Sequence, residues 1–112
     1  MRIAIPLANG QLAAHFGHCE EFVILQVALP AKEIIEETRL QPPAHQPGLL
    51  PKWLAGHQVS TVIAGGMGHR AQSLFAAHDI EVVVGAPVQD PQELAQAYLT
   101  GSLVTGANYC DH

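Results

Sequence analysis

The chain has 112 residues, enough for one domain (1–112) that buries its own core without disulfide staples. Hydrophobic residues make up 48% and charged residues only 13%, and a formal net charge of -5 argues against nucleic acid as a partner. No apolar run approaches the ~18 residues of a membrane span, and MRIAIPLANG lacks the basic start and long apolar stretch of a signal peptide, so a cytoplasmic location without membrane attachment is expected.

Arg2 to Leu7 reads as a first strand, because Ile3 and Ile5 alternate around Ala4 before Pro6 and Asn9-Gly10 punctuate the run. A polar loop then leads into His15-Phe16-Gly17-His18-Cys19. Phe22 to Leu29 is almost continuously apolar, which predicts a strand covered on both faces. Pro30-Ala31-Lys32 turns it into a third strand, Glu33 to Leu40, as a hairpin whose Glu36 and Glu37 form a solvated edge. Gln41 to Gly48 holds three prolines and His45 and reads as an irregular loop.

Leu49, Leu50, Trp53 and Leu54 mark one face of a short helix ending near Gly56. Val59 to Ala64 is a buried strand, and after Gly65-Gly66-Met67-Gly68 the stripe Ala71, Leu74, Phe75 and His78 predicts a second helix. Ile80 to Val84 is another buried strand. Asp90-Pro91-Gln92-Glu93 has the order of a helix start, and Gly101 suits its stop. The coarse order is βββαβαβα with an extended C-terminal tail, which implies a mixed sheet with helices on its faces.

Both cysteines sit in histidine-bearing runs, AHFGHC near the start and YCDH at the end. A thiolate beside imidazoles is a soft, metal-seeking combination, and two runs far apart in sequence can supply halves of one site. A disulfide between them is not expected in a reducing compartment. His15, His18 and Cys19 have i, i+3, i+4 spacing, which puts them on one face if the loop takes a helical turn. Cys110 and His112 are two apart and would share one side of an extended segment. The bland reading is that Cys19 is a small buried hydrophobe and that the tail is frayed. His57 and His78 are less promising as ligands, and His69, at a helix start, is ambiguous.

Gly65-Gly66-Met67-Gly68 joins a strand to a helix, a place where α/β sheets hold anionic groups on backbone N–H donors. The same glycines also permit close packing, with Met67 filling a gap. Nucleotide binding is disfavoured, since neither G-x-G-x-x-G nor G-x-x-x-x-G-K-[ST] is present. Ser60 and Ser73 lack a nucleophile elbow, and the first strand carries no carboxylate for a two-metal nuclease.

HFG after a first strand, His45 before the PGLLPKWL helix start, a strand ending in GGMG before an alanine-bearing helix, a strand ending in Gly85, and a terminal C-x-H form one pattern. The chain resembles the dinitrogenase iron–molybdenum cofactor biosynthesis family over essentially its whole length, with VIAGGMGHRA as the most specific segment. That resemblance implies a ribonuclease H-like mixed β-sheet without nuclease activity, and a role in binding or carrying iron–sulfur or molybdenum-containing clusters between donor and acceptor proteins. The positions matching the family's site loops are His15, Phe16 and Gly17, then His45, then Gly65 to Gly68, then Cys110 and His112. His18-Cys19 departs from the basic or small residues common there, which would favour a single tetrahedral metal ion.

The first reading is therefore a carrier and not an enzyme, with His15, His18, Cys19, His45, Cys110 and His112 as metal donors and the Gly65, Gly66, Met67 and Gly68 amides on the cluster's anionic face. The second is a mononuclear Cys₂His₂ zinc domain for regulation or storage. The third is a metal-dependent hydrolase or redox enzyme that keeps one coordination position open. Self-association into a homo-oligomer is compatible with all three.

Overall fold

The computed structural model describes residues 1–43 and 48–106, and for His18 the backbone alone. The predicted order is present with one addition. The strands are β1 (Arg2–Ala8), β2 (Gln11–Leu12), β3 (Glu21–Ala28) and β4 (Glu33–Leu40), then β5 (Thr61–Ile63) and β6 (Glu81–Val83). The helices are α1 (Leu49–Gly56), α2 (His69–Ala77) and α3 (Pro91–Leu99). The six strands form one mixed sheet in the order β4-β3-β1-β5-β6, with β2 beside β1. β1 pairs antiparallel with β3 and parallel with β5, so the first three long strands form a meander and the last two run parallel with β1.

Side chains alternate across a strand, and the two faces of β1 and β3 bury different cores. Ile3, Ile5, Leu7, Val23, Leu25 and Val27 face α3 through Leu94, Ala95 and Leu99. Ala4, Phe22 and Ile24 face the other way, onto Leu54 of α1 and Phe75 of α2. This is why the apolar run of β3 is continuous: both of its faces are covered. Asp90 caps α3 by accepting from the Gln92 and Glu93 amides at 3.1 and 3.4 Å, with Pro91 in the first turn. Gly101, at φ 76°, turns the chain out of that helix.

Three expectations need correction. The segment after β1 is not a polar loop: Asn9 and Gly10 take φ of 55° and 78° and turn the chain into β2, pairing Leu7 with Leu12, and Leu12 and Ala13 are buried. Asn-Gly at two left-handed positions is a tight-hairpin signal, but a two-residue strand is too short to show periodicity. β6 is an edge strand with half-buried valines, not a fully buried one. His78 is off the packing stripe, because α2 ends at Ala77 and His78 is its exposed C-cap. No helix among the described residues is long and apolar enough to cross a membrane.

Candidate functional site

At the carboxyl ends of β1, β5 and β6 three loops meet backbone to backbone. The loop after β2 runs parallel to the glycine turn after β5: the Gly66 N–H donates to the Ala14 carbonyl at 2.7 Å, and the Phe16 N–H donates to the Gly66 carbonyl at 2.9 Å. Gly65 is required by this approach. A Cβ there would lie 2.7 Å from the Ala14 carbonyl oxygen and 3.0 Å from that of Ala13. On the other side of the turn the Gly85 N–H donates to the Gly65 carbonyl, and the Gly106 N–H to the Gly85 carbonyl, each at 2.7 Å. The chain after α3 thus returns to the sheet's carboxyl edge at Gly106. Cys110, His112 and His45 lie outside the described residues.

Phe16 anchors the first loop. Its ring stands edge-on to Phe22 at 5.9 Å and to Phe75 at 5.6 Å, while Phe22 meets Trp53 at 5.8 Å. Those contacts tie the loop to β3, α2 and α1. The expected helical turn exists, but only as a 3-10 turn over Phe16–His18; His15 before it (φ -124°, ψ 127°) and Cys19 after it (φ -73°, ψ 146°) are extended. The i, i+3, i+4 alignment of a full helical turn therefore does not form. Among the described residues no three His, Cys, Asp or Glu side chains form a group that could hold a metal ion.

These loops instead border a cleft of about 500 Å³. Phe16, Gly17 and Cys19 line one side, Gly66, Met67 and Gly68 the floor. Arg70, Ala71, Leu74 and Phe75 of α2, Leu50 and Pro51 of α1, and Pro42, Pro43 and Gly48 complete the described lining. The sequence reading brought the first two groups together but missed the helix side chains. Met67 is 1% exposed and its carbonyl accepts from Gln72 Nε2 at 2.8 Å, so it is both gap-filler and floor. A smaller hollow of about 260 Å³ lies across the Gly65-Gly66 turn, bordered by Gly85, Val88, Val104 and Gly106.

Burial pushes the Cys19 thiol above its ordinary value of 9.0, a backbone hydrogen bond of its own acting weakly against this. The thiol is therefore protonated at neutral pH, and a soft metal would have to displace the proton to gain the sulfur. In a Cys110→Ser background, iodoacetamide should label Cys19 more slowly at pH 7.5 than it labels a free thiol, with the rate still climbing above pH 9. Rapid labelling at pH 7 would contradict the buried thiol.

The profile of the family described as dinitrogenase iron-molybdenum cofactor matches residues 1–101. The chain belongs to that family. It is also similar to the uncharacterised protein MJ0580 of Methanocaldococcus jannaschii, 31% identical over 106 residues, covering 92% of this chain and 89% of that protein. Among solved structures, PH0822 superposes with a TM-score of 0.86 at 25% identity, covering 96% of each chain. MJ0327 of M. jannaschii follows with a TM-score of 0.76 at 17% identity, again covering 96% of each. The last likeness is one of fold. Residues 1–101 contain the whole cleft as far as it is described, so the family's domain and the site coincide.

Proposed function

We propose that this chain binds and carries a metal–sulfur cluster, iron–sulfur or molybdenum-containing, by binding and release without turnover. The observation that carries the reading is the cleft of about 500 Å³ between the Phe16–Cys19 loop and the Gly66–Gly68 turn. It is far roomier than a single ion needs, and its walls combine apolar side chains, one soft thiol and backbone from a glycine turn at a helix start. Family membership supports the same cargo class. The sheet order, antiparallel through β4-β3-β1 and parallel through β1-β5-β6, supports the ribonuclease H-like assignment. β1 carries no carboxylate, in keeping with a carrier and not a nuclease. A mononuclear zinc site drawing on the same cysteines and histidines is the second reading, and metal stoichiometry separates the two. In this reading Cys19 and His15 act from the first loop, with His18, His45, Cys110 and His112 as the remaining donors, in a reducing cytoplasm and between donor and acceptor proteins.

The test is metal analysis with an absorption spectrum of anaerobically purified protein, repeated on Cys19→Ser/Cys110→Ser. Visible sulfur-to-metal bands and several metal atoms per chain are expected in the parent. Both should be lost in the double variant, with far-UV circular dichroism unchanged because the two cores are aliphatic and aromatic. Unchanged stoichiometry in the variant would exclude cysteine ligation. One colourless equivalent in the parent would favour zinc.

A further inference from the structure

Resting on the cleft as the cargo site, we propose that Arg70 sets its charge selectivity: the cargo enters as an intact anion with soft, weakly hydrated faces, and bare metal cations are disfavoured.

The first observation is where the charges are. The chain has ten Asp and Glu against five Lys and Arg, yet no carboxylate is among the described residues that line the cleft, and Arg70 is the one charged side chain that does. Glu20, next to Cys19 in sequence, is turned away onto the Asn9 amide at 2.8 Å. A site for a bare hard divalent cation would be expected to gather carboxylates. This one is bordered by proline, leucine, phenylalanine and methionine, whose low dielectric response weakens screening and strengthens the field of a charge at the rim.

The second observation is that Arg70 is not used by the fold. Arg39 pairs with Glu21 at 3.1 Å and with Glu37 at 3.4 Å. Arg2 is held by Gln26 at 2.8 Å and by the His57 carbonyl at 2.9 Å. Arg70 has no carboxylate partner among the described residues, and it sits in the first turn of α2, the positive end of that helix, where a cation is unfavourable. Gly68 offers α2 no side-chain cap and the first turn holds no acid. α3 of the same chain shows the ordinary solution, with Asp90 capping and Glu93 in the first turn. A guanidinium without a carboxylate partner in a first turn that holds no acid is a local conflict that an anion in the cleft resolves, since the guanidinium can donate to it. The apolar walls specify the remainder: a sulfur-faced anion loses less hydration on entering than an oxygen-faced one.

Titration of the full chain under anaerobic conditions with tetrathiomolybdate, molybdate and zinc chloride tests this. The parent should bind tetrathiomolybdate more tightly than molybdate, with an affinity that falls as salt rises. Arg70→Gln should weaken tetrathiomolybdate by roughly tenfold or more and flatten the salt dependence, Arg70→Glu should weaken it further, and Arg70→Lys should keep most of it. Arg70 is exposed, so circular dichroism should be unchanged in all three. Equal affinity in the parent and in folded Arg70→Gln and Arg70→Glu would overturn the role of Arg70. If the anion then still protected Cys19 from alkylation, the cleft would stand as the cargo site. Zinc ions that displace the anion from the parent at equal concentration, or a parent that binds no tetrathiomolybdate, would overturn the selectivity, and cluster uptake by the purified protein decides the carrier reading separately.

Discussion

Gly65→Ala is expected to take the cleft apart while leaving the meander of β1, β3 and β4 in place. The added methyl would sit 2.7 Å from the Ala14 carbonyl oxygen and 3.0 Å from that of Ala13. Neither obstacle is the end of a flexible side chain; both are backbone, held on the far side by the Phe16 and Gly66 hydrogen bonds. The loops must therefore separate, at a cost of about 1–3 kcal/mol for forced overpacking of a close contact. Cluster uptake should be lost, and the amides of Gly66 and Phe16 should exchange faster than those of β3. Gly17→Ala supplies the control, because a Cβ there meets nothing within 4 Å. Its stability should stay within about 0.5 kcal/mol of the parent, as for an ordinary surface change. If the two variants melt alike and bind alike, the parallel seam between the loops is not what shapes the site.

The contrast between those glycines marks how far the sequence could be read. Strong periodicity was enough where burial is strong: the alternation of Ile3 and Ile5 and the unbroken run of β3 announce a strand with one core on each face, and Asp90-Pro91 announces a helix start. Periodicity is silent on what lies beside a strand, so β6 reads like a central strand although it is an edge. It also extrapolates past helix ends, which placed His78 on a stripe that stops at Ala77. For the site, GGMG is readable as a loop-building turn, but nothing local says that Gly65 touches Ala14, 51 positions earlier in the chain. Arg70 leaves only a faint trace in the sequence: a basic residue in a helix's first turn where the next helix along the chain has an acid.

Cys19 shows the same limit from the chemical side. Its company of histidines pointed to metal, and its position after Phe16 does put it on the cleft wall. The spacing suggested a helical face shared with His15, whereas the chain spends only three residues in a 3-10 turn before running extended into β3. The anchor for that geometry in the described structure is the Phe16 ring. Phe16 must point inward to reach Phe22 and Phe75, and once it does, Gly17 and Cys19 are placed at the cleft's edge.

Phe75→Ala should accordingly produce the largest loss of stability of any single change at the site. Phe75 is fully buried and is the one buried residue of α2, so that helix holds to the sheet chiefly through this ring. The ring also meets Phe16 edge-on at 5.6 Å and 85°, an arrangement that adds to plain burial. Truncating a buried phenylalanine costs about 3–5 kcal/mol, a large share of the ~5–15 kcal/mol that holds a domain folded. Urea unfolding followed by Trp53 fluorescence should show the midpoint falling sharply, since Trp53 lies at the other end of the Phe75–Phe16–Phe22 chain of contacts. Phe75→Leu, which keeps most of the volume, should recover the larger part of the loss. Cargo affinity separates the two roles of the ring. At urea concentrations low enough for Phe75→Ala to remain folded, binding should still be weakened, because the wall of the cleft and the partner of Phe16 have been removed together. A variant that loses less than about 1 kcal/mol, below the range for buried aromatic truncation, would mean that α2 is held by contacts other than this ring and that the cleft is not built on it.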